Sequence, residues 1–348
     1  MGRVEALEAK LKESGAGGIV VSKIENVRYL TGFTGSSAFS VITDDTRALV
    51  TDGRYEYQAA MECDGWDVRV YSTSLFELLG SLLKGVEKVA FESSVSYGFH
   101  RRLDTALSEG QELVETPSMI EAHRARKDPG EVLLIEASIR CAASAFEHVL
   151  PMIAPGANER DVAAELDYRM VKAGADMMAF DTVVASGPNS ALPHAGITDR
   201  VIEEGDLVVV DFGARKDGYN CDITRTVVAG VTLERQRLII EAVNDAVDTA
   251  VEGILPGVDA RAVDALARGP LRERGLGEHF SHGTGHGVGL EVHELPTLSR
   301  LSTDILEPMM VFTIEPGVYI EGWGGVRVEE MVLLEEAGPR IMTSTIGR

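Results

Sequence analysis

The chain has 348 residues, 45% of them apolar, enough to bury a sizeable core without disulfide staples. Thirty-three basic against 55 acidic side chains leave a net charge of −22, which argues against nucleic acid or an anionic membrane as partner. A cationic ligand stays open, with metal ions the obvious candidates, and at roughly 100–200 residues per domain two domains are expected.

Residues 1–122 read as an alternation of short helices and strands. Helical spacing covers Val4–Lys12, Arg54–Met61, Leu75–Leu83 and Phe99–Leu107. Apolar β runs cover Gly18–Val21, Phe39–Ile42, Ala48–Val50, Val68–Tyr71 and Val89–Phe91. That pattern predicts a small α/β domain with a mixed sheet. The polar stretch Thr116–Asp128 carries the boundary, placed at 122/123. After it, Asp128-Pro129-Gly130-Glu131 supplies an N-cap, a proline at the first helical position and a glutamate three residues beyond the cap. A helix over 131–150 follows, with a second over 159–173 opened by Asn158. Strands are expected around Val183, over Leu207–Gly213 and over Tyr219–Val228. Two helices (234–252 and 259–273) and strands at Gly287–Val292, Met309–Ile314 and Val326–Leu334 then repeat the order. The second half, 123–348, thus reads as a duplicated α/β unit, and the fold class as α+β.

Three cysteines (Cys63, Cys141, Cys221) form no CxxC pair, so neither a disulfide framework nor a thiolate zinc site is expected. No apolar run approaches the ~20 residues that span a bilayer, and Glu5 and Glu8 occupy the place of a signal peptide's apolar stretch. A cytoplasmic protein is expected.

The chemistry concentrates in three places. Asp217-Gly218 between apolar strands predicts a two-residue hairpin pairing Lys216 with Tyr219. Counting outward sets Asp211 opposite Thr224 and Gly213 opposite Asp222. Asp211 and Asp222 then share one face as diagonal neighbours on the order of 7 Å apart. Two aspartates on an apolar strand pair repel, so they are either solvated at an exposed edge or share a cation. The segment Ser281–Glu294 holds three of the chain's eight histidines, His282, His286 and His293, among glycines that let backbone approach a ligand. It is not HExxH, since Gly283 stands at the glutamate position. Last, Glu315 lies between Ile314 and Pro316, and Glu329 lies two residues after Arg327. Burying such glutamates unpaired costs several kcal/mol, although Glu329 has Arg327 as a candidate partner. Four carboxylates and an imidazole form an oxygen-rich set suited to two divalent cations, Mn²⁺ first, with Co²⁺ or Zn²⁺ as alternatives.

Taken in order and spacing, VDFG, CDITRT, HGTGHGVGLEVHE, TIEPG and GVRVEE resemble the pita-bread metallopeptidases, within them the aminopeptidase P/prolidase branch. The segments Tyr29–Ser37 and Thr51–Tyr55 resemble that branch's creatinase-like N-terminal domain. The resemblance implies that Asp211 binds one metal, Asp222 and Glu329 bridge both, and His286 and Glu315 complete the second. It implies that a water held between the ions attacks the scissile carbonyl while Glu315 moves protons. His194 and His293 match the family's substrate histidines, and His282 and Arg327 match positions near the proline subsite. The implied reaction cleaves between an N-terminal residue and a following proline, on short proline-containing peptides, in a homodimer. A methionine aminopeptidase, a metal-free creatinase and a catalytically silent binding protein are the rival readings. The N-terminal domain speaks against the first, the intact ligand set against the other two.

Overall fold

A computed structural model describes residues 2–348, and the chain divides into two compact units at Arg124/Ala125. The first unit is built on one six-stranded mixed sheet. Its strands run in the order Asp67–Tyr71, Arg47–Asp52, Ala38–Thr43, Gly18–Val21, Lys88–Glu92, Glu112–Thr116. The central strand Gly18–Val21 is buried at every position, as a continuous apolar run at the middle of a sheet requires. Phe76 and Leu79 from helix Leu75–Leu82 and Leu103 from helix Tyr97–Ala106 pack on Val20, Val41, Val50 and Val89.

Three elements of this unit escape the periodicity reading: helices Ile24–Thr31 and Glu121–Ala125 and strand Glu112–Thr116. All are short, and tertiary partners hold them. Glu92, buried at the end of its strand, accepts from the backbone N–H groups of Ser22 and Lys23 at 2.7 and 2.9 Å, at the start of helix Ile24–Thr31. The strand Glu112–Thr116 pairs only with Lys88–Glu92, at the sheet's edge.

In the second unit the expected order of two helices followed by strands occurs twice. Helices Pro129–Val149 and Glu159–Lys172 pack on each other, as do Glu234–Glu252 and Ala260–Glu273. Asp128 and Glu131 close a capping box, with bonds of 2.9 and 2.8 Å. Behind the second pair lies an apolar core in which Ala242, Val243, Ala246 and Val247 meet Phe312, Ile314, Val326 and Val332. Two antiparallel sheets position the site. One has the order Ile223–Val228, Leu207–Phe212, Val183–Ser186. The other has the order Glu294–Leu298, Gly285–Gly287, Val311–Ile314, Glu330–Glu335, Gly338–Ile341.

The hairpin has the expected register: Lys216 pairs with Tyr219, Phe212 with Ile223 and Asp211 with Thr224. Asp217 and Gly218 both have positive φ, 47° and 81°, as a two-residue primed turn demands. The ladder is interrupted between these rungs, so Tyr219–Val228 is two strands rather than one.

Two other expected strands are corrected. Residues 288–292 form a loop between the strands Gly285–Gly287 and Glu294–Leu298. The Asn220 side chain holds its carbonyls, donating to Gly289 and Leu290 at 3.0 Å each. The run Val326–Leu334 breaks into Gly324–Arg327 and Glu330–Glu335, which belong to different sheets. At the break the Glu329 N–H turns to the carbonyl of Thr224, 3.1 Å away on the other hairpin.

Candidate metal centre

Each of five side chains reaches the centre of the second unit from the end or the break of a strand. Asp211 lies near the end of Leu207–Phe212, Asp222 immediately precedes Ile223–Val228, and His286 is the middle residue of Gly285–Gly287. Glu315 follows Val311–Ile314, and Glu329 occupies the break described above. Oxygens of Asp211, Asp222 and Glu329 lie within 4.8 Å of one another, and so do donor atoms of His286, Glu315 and Glu329. A third such group joins Asp222, His286 and His293. Glu329, Asp222 and His286 therefore each belong to two groups.

Glycines allow this convergence, and at two of them it is neighbouring backbone that the missing side chain admits. A Cβ at Gly213 would stand 2.1 Å from the Cys221 carbonyl oxygen, and one at Gly285 would stand 1.9 Å from that of Thr313. Both positions are filled by neighbouring backbone, so the absent side chain lets two chain segments touch.

Hydrogen bonds set the tautomers. His286 Nδ1 faces the carbonyl oxygen of Gly287 at 3.2 Å; a carbonyl only accepts, so Nδ1 carries the proton. Nε2 is left as a bare lone pair, 3.6 Å from Asp222 and 3.5 Å from Glu315, the form a metal-binding imidazole needs. In His282, Nδ1 meets the Gly283 carbonyl at 2.8 Å and Nε2 meets the Tyr319 hydroxyl at 2.8 Å. The same logic makes Tyr319 the donor to His282, while Arg327 donates to Tyr319 at 3.0 Å. Both ring nitrogens of His282 are thereby committed. Burial depresses its pKa to about 4, so the ring is neutral at physiological pH.

The carboxylates outnumber the cations around them. Burial and the neighbouring acids hold Asp222 well above the usual carboxylate range; burial above all raises Glu315 to about 7 and Glu329 to about 8. Arg327 is the nearby cation, and it pairs at 2.5 Å with Asp211, not with Glu329 as its spacing in sequence suggested. Glu329 instead accepts from the Thr224 hydroxyl at 2.8 Å. The other oxygen of Asp211, Oδ1, is buried without a hydrogen-bond partner among the described residues. An orphaned carboxylate oxygen, a bare imidazole nitrogen and three acids pushed toward protonation form a donor set that fits divalent cations.

A cavity of about 520 Å³ opens on these ligands, and His194, His282, His293 and Arg327 line it too. The rings of His286 and His293 lie 4.2 Å apart between centroids. Arg327 also donates to the Pro193 carbonyl at 3.0 Å, next to His194. Tyr319 and Thr224 were not singled out from the sequence. Thr224 stands in the CDITRT segment directly across from Asp211, a signal available from the hairpin register. Tyr319 has none, because its role depends on two residues distant in the chain.

Residues 133–336 match metallopeptidase family M24, and residues 3–126 match the creatinase/prolidase N-terminal domain. The chain is 38% identical to the Xaa-Pro dipeptidase of Pyrococcus furiosus over 99% of its own length and 98% of that protein's. Among solved structures, the Xaa-Pro dipeptidase from Bacillus anthracis superposes with a TM-score of 0.95 at 37% identity, covering 98% and 96% of the two chains. The X-Pro aminopeptidase of Thermotoga maritima does so with 0.87 at 38%, covering 94% and 96%. With this match across the catalytic half, a second one across the first unit and relatives aligned over nearly the whole length, the chain belongs to metallopeptidase family M24.

Proposed function

We propose that the protein is a dinuclear-metal exopeptidase that hydrolyses the bond between an N-terminal residue and a following proline in short peptides. The observation that carries this reading is that Glu329 belongs both to the group with Asp211 and Asp222 and to the group with His286 and Glu315, the arrangement two adjacent ions require. Asp211 would complete one ion's shell, His286 and Glu315 the other's. Four carboxylates and one imidazole favour Mn²⁺ over a thiolate-seeking metal, with Co²⁺ or Zn²⁺ as alternatives. When bound, the two ions supply Lewis-acid polarisation and lower the pKa of water into the neutral range.

The remaining work falls to the side chains. Glu315 would take the nucleophile's proton on a carboxylate oxygen and return it to the leaving nitrogen. His194 and His293 would donate to the carbonyl oxygen as charge develops there. Arg327 would hold Tyr319, and Tyr319 would hold the neutral His282 ring, as a rigid wall for the proline end. A prolyl amide lacks an N–H and restricts its neighbour, so a shaped pocket is the expected recognition device. A homodimer accompanies this reading on the strength of the family resemblance.

The test is product analysis with the Mn²⁺-loaded protein on Xaa-Pro, Xaa-Pro-Yaa and Xaa-Ala-Yaa peptides. Cleavage before proline is expected, and the tripeptide separates a dipeptidase from an aminopeptidase. Asp222→Asn and Glu329→Gln should each lower kcat by on the order of 10³-fold. Unchanged turnover in either variant removes the assigned roles, and preferred cleavage of Xaa-Ala-Yaa removes the proline reading.

A further inference from the structure

Two residues of the ligand-bearing motifs have no part in the site described above: Arg225 of CDITRT and Glu330, the second glutamate of GVRVEE. They pair with each other, and their side chains are 1% and 2% exposed. Side chains alternate along a strand, so Thr224 turns to the metal ligands and Arg225 to the other face of the hairpin. There every N–H of the guanidinium has an acceptor. Nε donates to the Gly347 carbonyl at 2.9 Å. Nη2 donates to the Ile346 carbonyl at 2.9 Å and to both Glu330 oxygens at 3.3 Å. Nη1 donates to the carbonyls of Thr224 at 2.9 Å and of Glu329 at 2.5 Å.

The last of these bonds reaches the residue shared by the two main donor groups. Glu329 lies in the break between two strands, so no ladder fixes its backbone. Its polar groups are tied to the dipeptide Thr224–Arg225 instead. The N–H donates to the Thr224 carbonyl at 3.1 Å, and the carboxylate accepts from the Thr224 hydroxyl at 2.8 Å. The carbonyl accepts from Arg225, without which it would be left unpaired where water is excluded. The guanidinium is itself held from behind. Arg348 donates to Glu330 at 2.7 Å and to Asp248 at 2.5 Å, and so anchors the segment 346–347 whose carbonyls receive Arg225.

We propose that Arg225 is a positioning residue for the metal centre: it fixes the Glu329 backbone so that the carboxylate faces both donor groups, and the segment 346–348 keeps the guanidinium in place. This rests on the dinuclear reading above.

The probe is Mn²⁺ alone, titrated into metal-free wild type, Arg225→Lys, Arg348→Ala and Leu271→Ala. Calorimetry gives the number and affinity of the ions, and the exchange-coupled Mn²⁺ spin-resonance signal reports their pairing. Lysine keeps the charge beside Glu330 but cannot fork to two carbonyls. Leu271→Ala empties a fully buried core position on helix Ala260–Glu273 and controls for lost stability alone. Arg225→Lys should raise the Mn²⁺ Kd about 10- to 100-fold and weaken the coupled signal. On Ala-Pro at saturating Mn²⁺ its kcat should fall about tenfold, with KM held within about threefold. Arg348→Ala, at the partly exposed edge of the cluster, should raise the Kd about tenfold, the low end of that range. Leu271→Ala should lower the melting temperature and leave Kd and signal as in the wild type. An unchanged Kd in Arg225→Lys, or in Arg348→Ala should the lysine variant not fold, would overturn the proposal. An equal loss of affinity in Leu271→Ala would overturn it too, since general loosening would then explain the effect. Wild type that binds fewer than two Mn²⁺ would instead sink the dinuclear reading, so the two failures are told apart.

Discussion

Glu329 shows how much a single buried carboxyl can carry. It lies 2% exposed beside Asp211, Asp222 and Glu315, and the Thr224 hydroxyl donates to it. Without ions, burial first and the neighbouring charges second raise it to about 8, with Glu315 at about 7. A carboxyl with a higher pKa folded than unfolded holds its proton more tightly in the native state. Its contribution to stability is complete below the unfolded value, near 4.5, and is lost as pH rises through 7 and 8. His282 runs the other way: its pKa is depressed to about 4, so its contribution is present above 6.5 and lost as pH falls. Between pH 6.5 and 8.5 the carboxyls are thus isolated from it. Chelator-treated protein should lose melting temperature across that window, and Glu329→Gln should lose measurably less. Identical slopes for the two proteins, followed by calorimetry, would contradict the crowding of these acids.

At the scale of elements, the strands bring the candidate ligands close while loops carry His194 and His293 to the cavity, and the loops are tied down by buried polar hubs. Glu159, wholly buried at the start of helix Glu159–Lys172, accepts from the Ser186 N–H and hydroxyl at 2.7 Å each and from Thr198 Oγ1 at 2.5 Å. Asn189 adds a bond of 3.2 Å. Those partners flank the segment that bears His194 at both ends, so the carboxylate closes the loop. Glu159→Gln turns an amide N–H₂ toward a set of donors and should cost about 1–3 kcal/mol of stability in urea unfolding. It should also lower kcat/KM about tenfold with His194 present, and have no further effect on kcat/KM in His194→Ala. Additive losses in that double-mutant cycle would mean that Glu159 does not act through His194. A comparable anchor on the other side is Lys127, which pairs with Glu294 at 2.6 Å beside His293 with both side chains nearly sealed from water.

For the molecule as a whole, ions bound as proposed would be structural as well as chemical. Asp211 and Glu329 come from different halves of the duplicated unit, so a cation held between them would cross-link segments that the chain itself does not join. Ligands that bind only the folded state stabilise it by RT ln(1 + [L]/Kd), about 2.7 kcal/mol at a hundredfold excess over Kd. Elemental analysis of the purified protein should find about two transition ions per chain. Chelation should lower the melting temperature reversibly, and the rise on adding Mn²⁺ back should shrink in Asp211→Asn. A metal-free protein whose melting temperature ignores both treatments would fit a scaffold or a creatinase rather than a peptidase. Among the described residues no helix is long and apolar enough to cross a membrane.

Much of this site is legible in the order of the amino acids, for local reasons. The Asp217-Gly218 turn and the two-residue period of a strand are properties of adjacent residues, and they suffice to put Asp211 across from Thr224. The helix starts at Asp128 and Asn158 follow from capping, and the glutamate flanked by Ile314 and Pro316 announces a buried charge. What that order could not decide is which segment satisfies which. Arg327 turns to Asp211 rather than to Glu329 two residues on, because the strand breaks there to give its N–H to Thr224. The loop 288–292 is held by Asn220, and His282 is locked by Tyr319. Each of these depends on buried polar groups finding partners far away in the chain, and only the folded molecule, where water is excluded, imposes that demand.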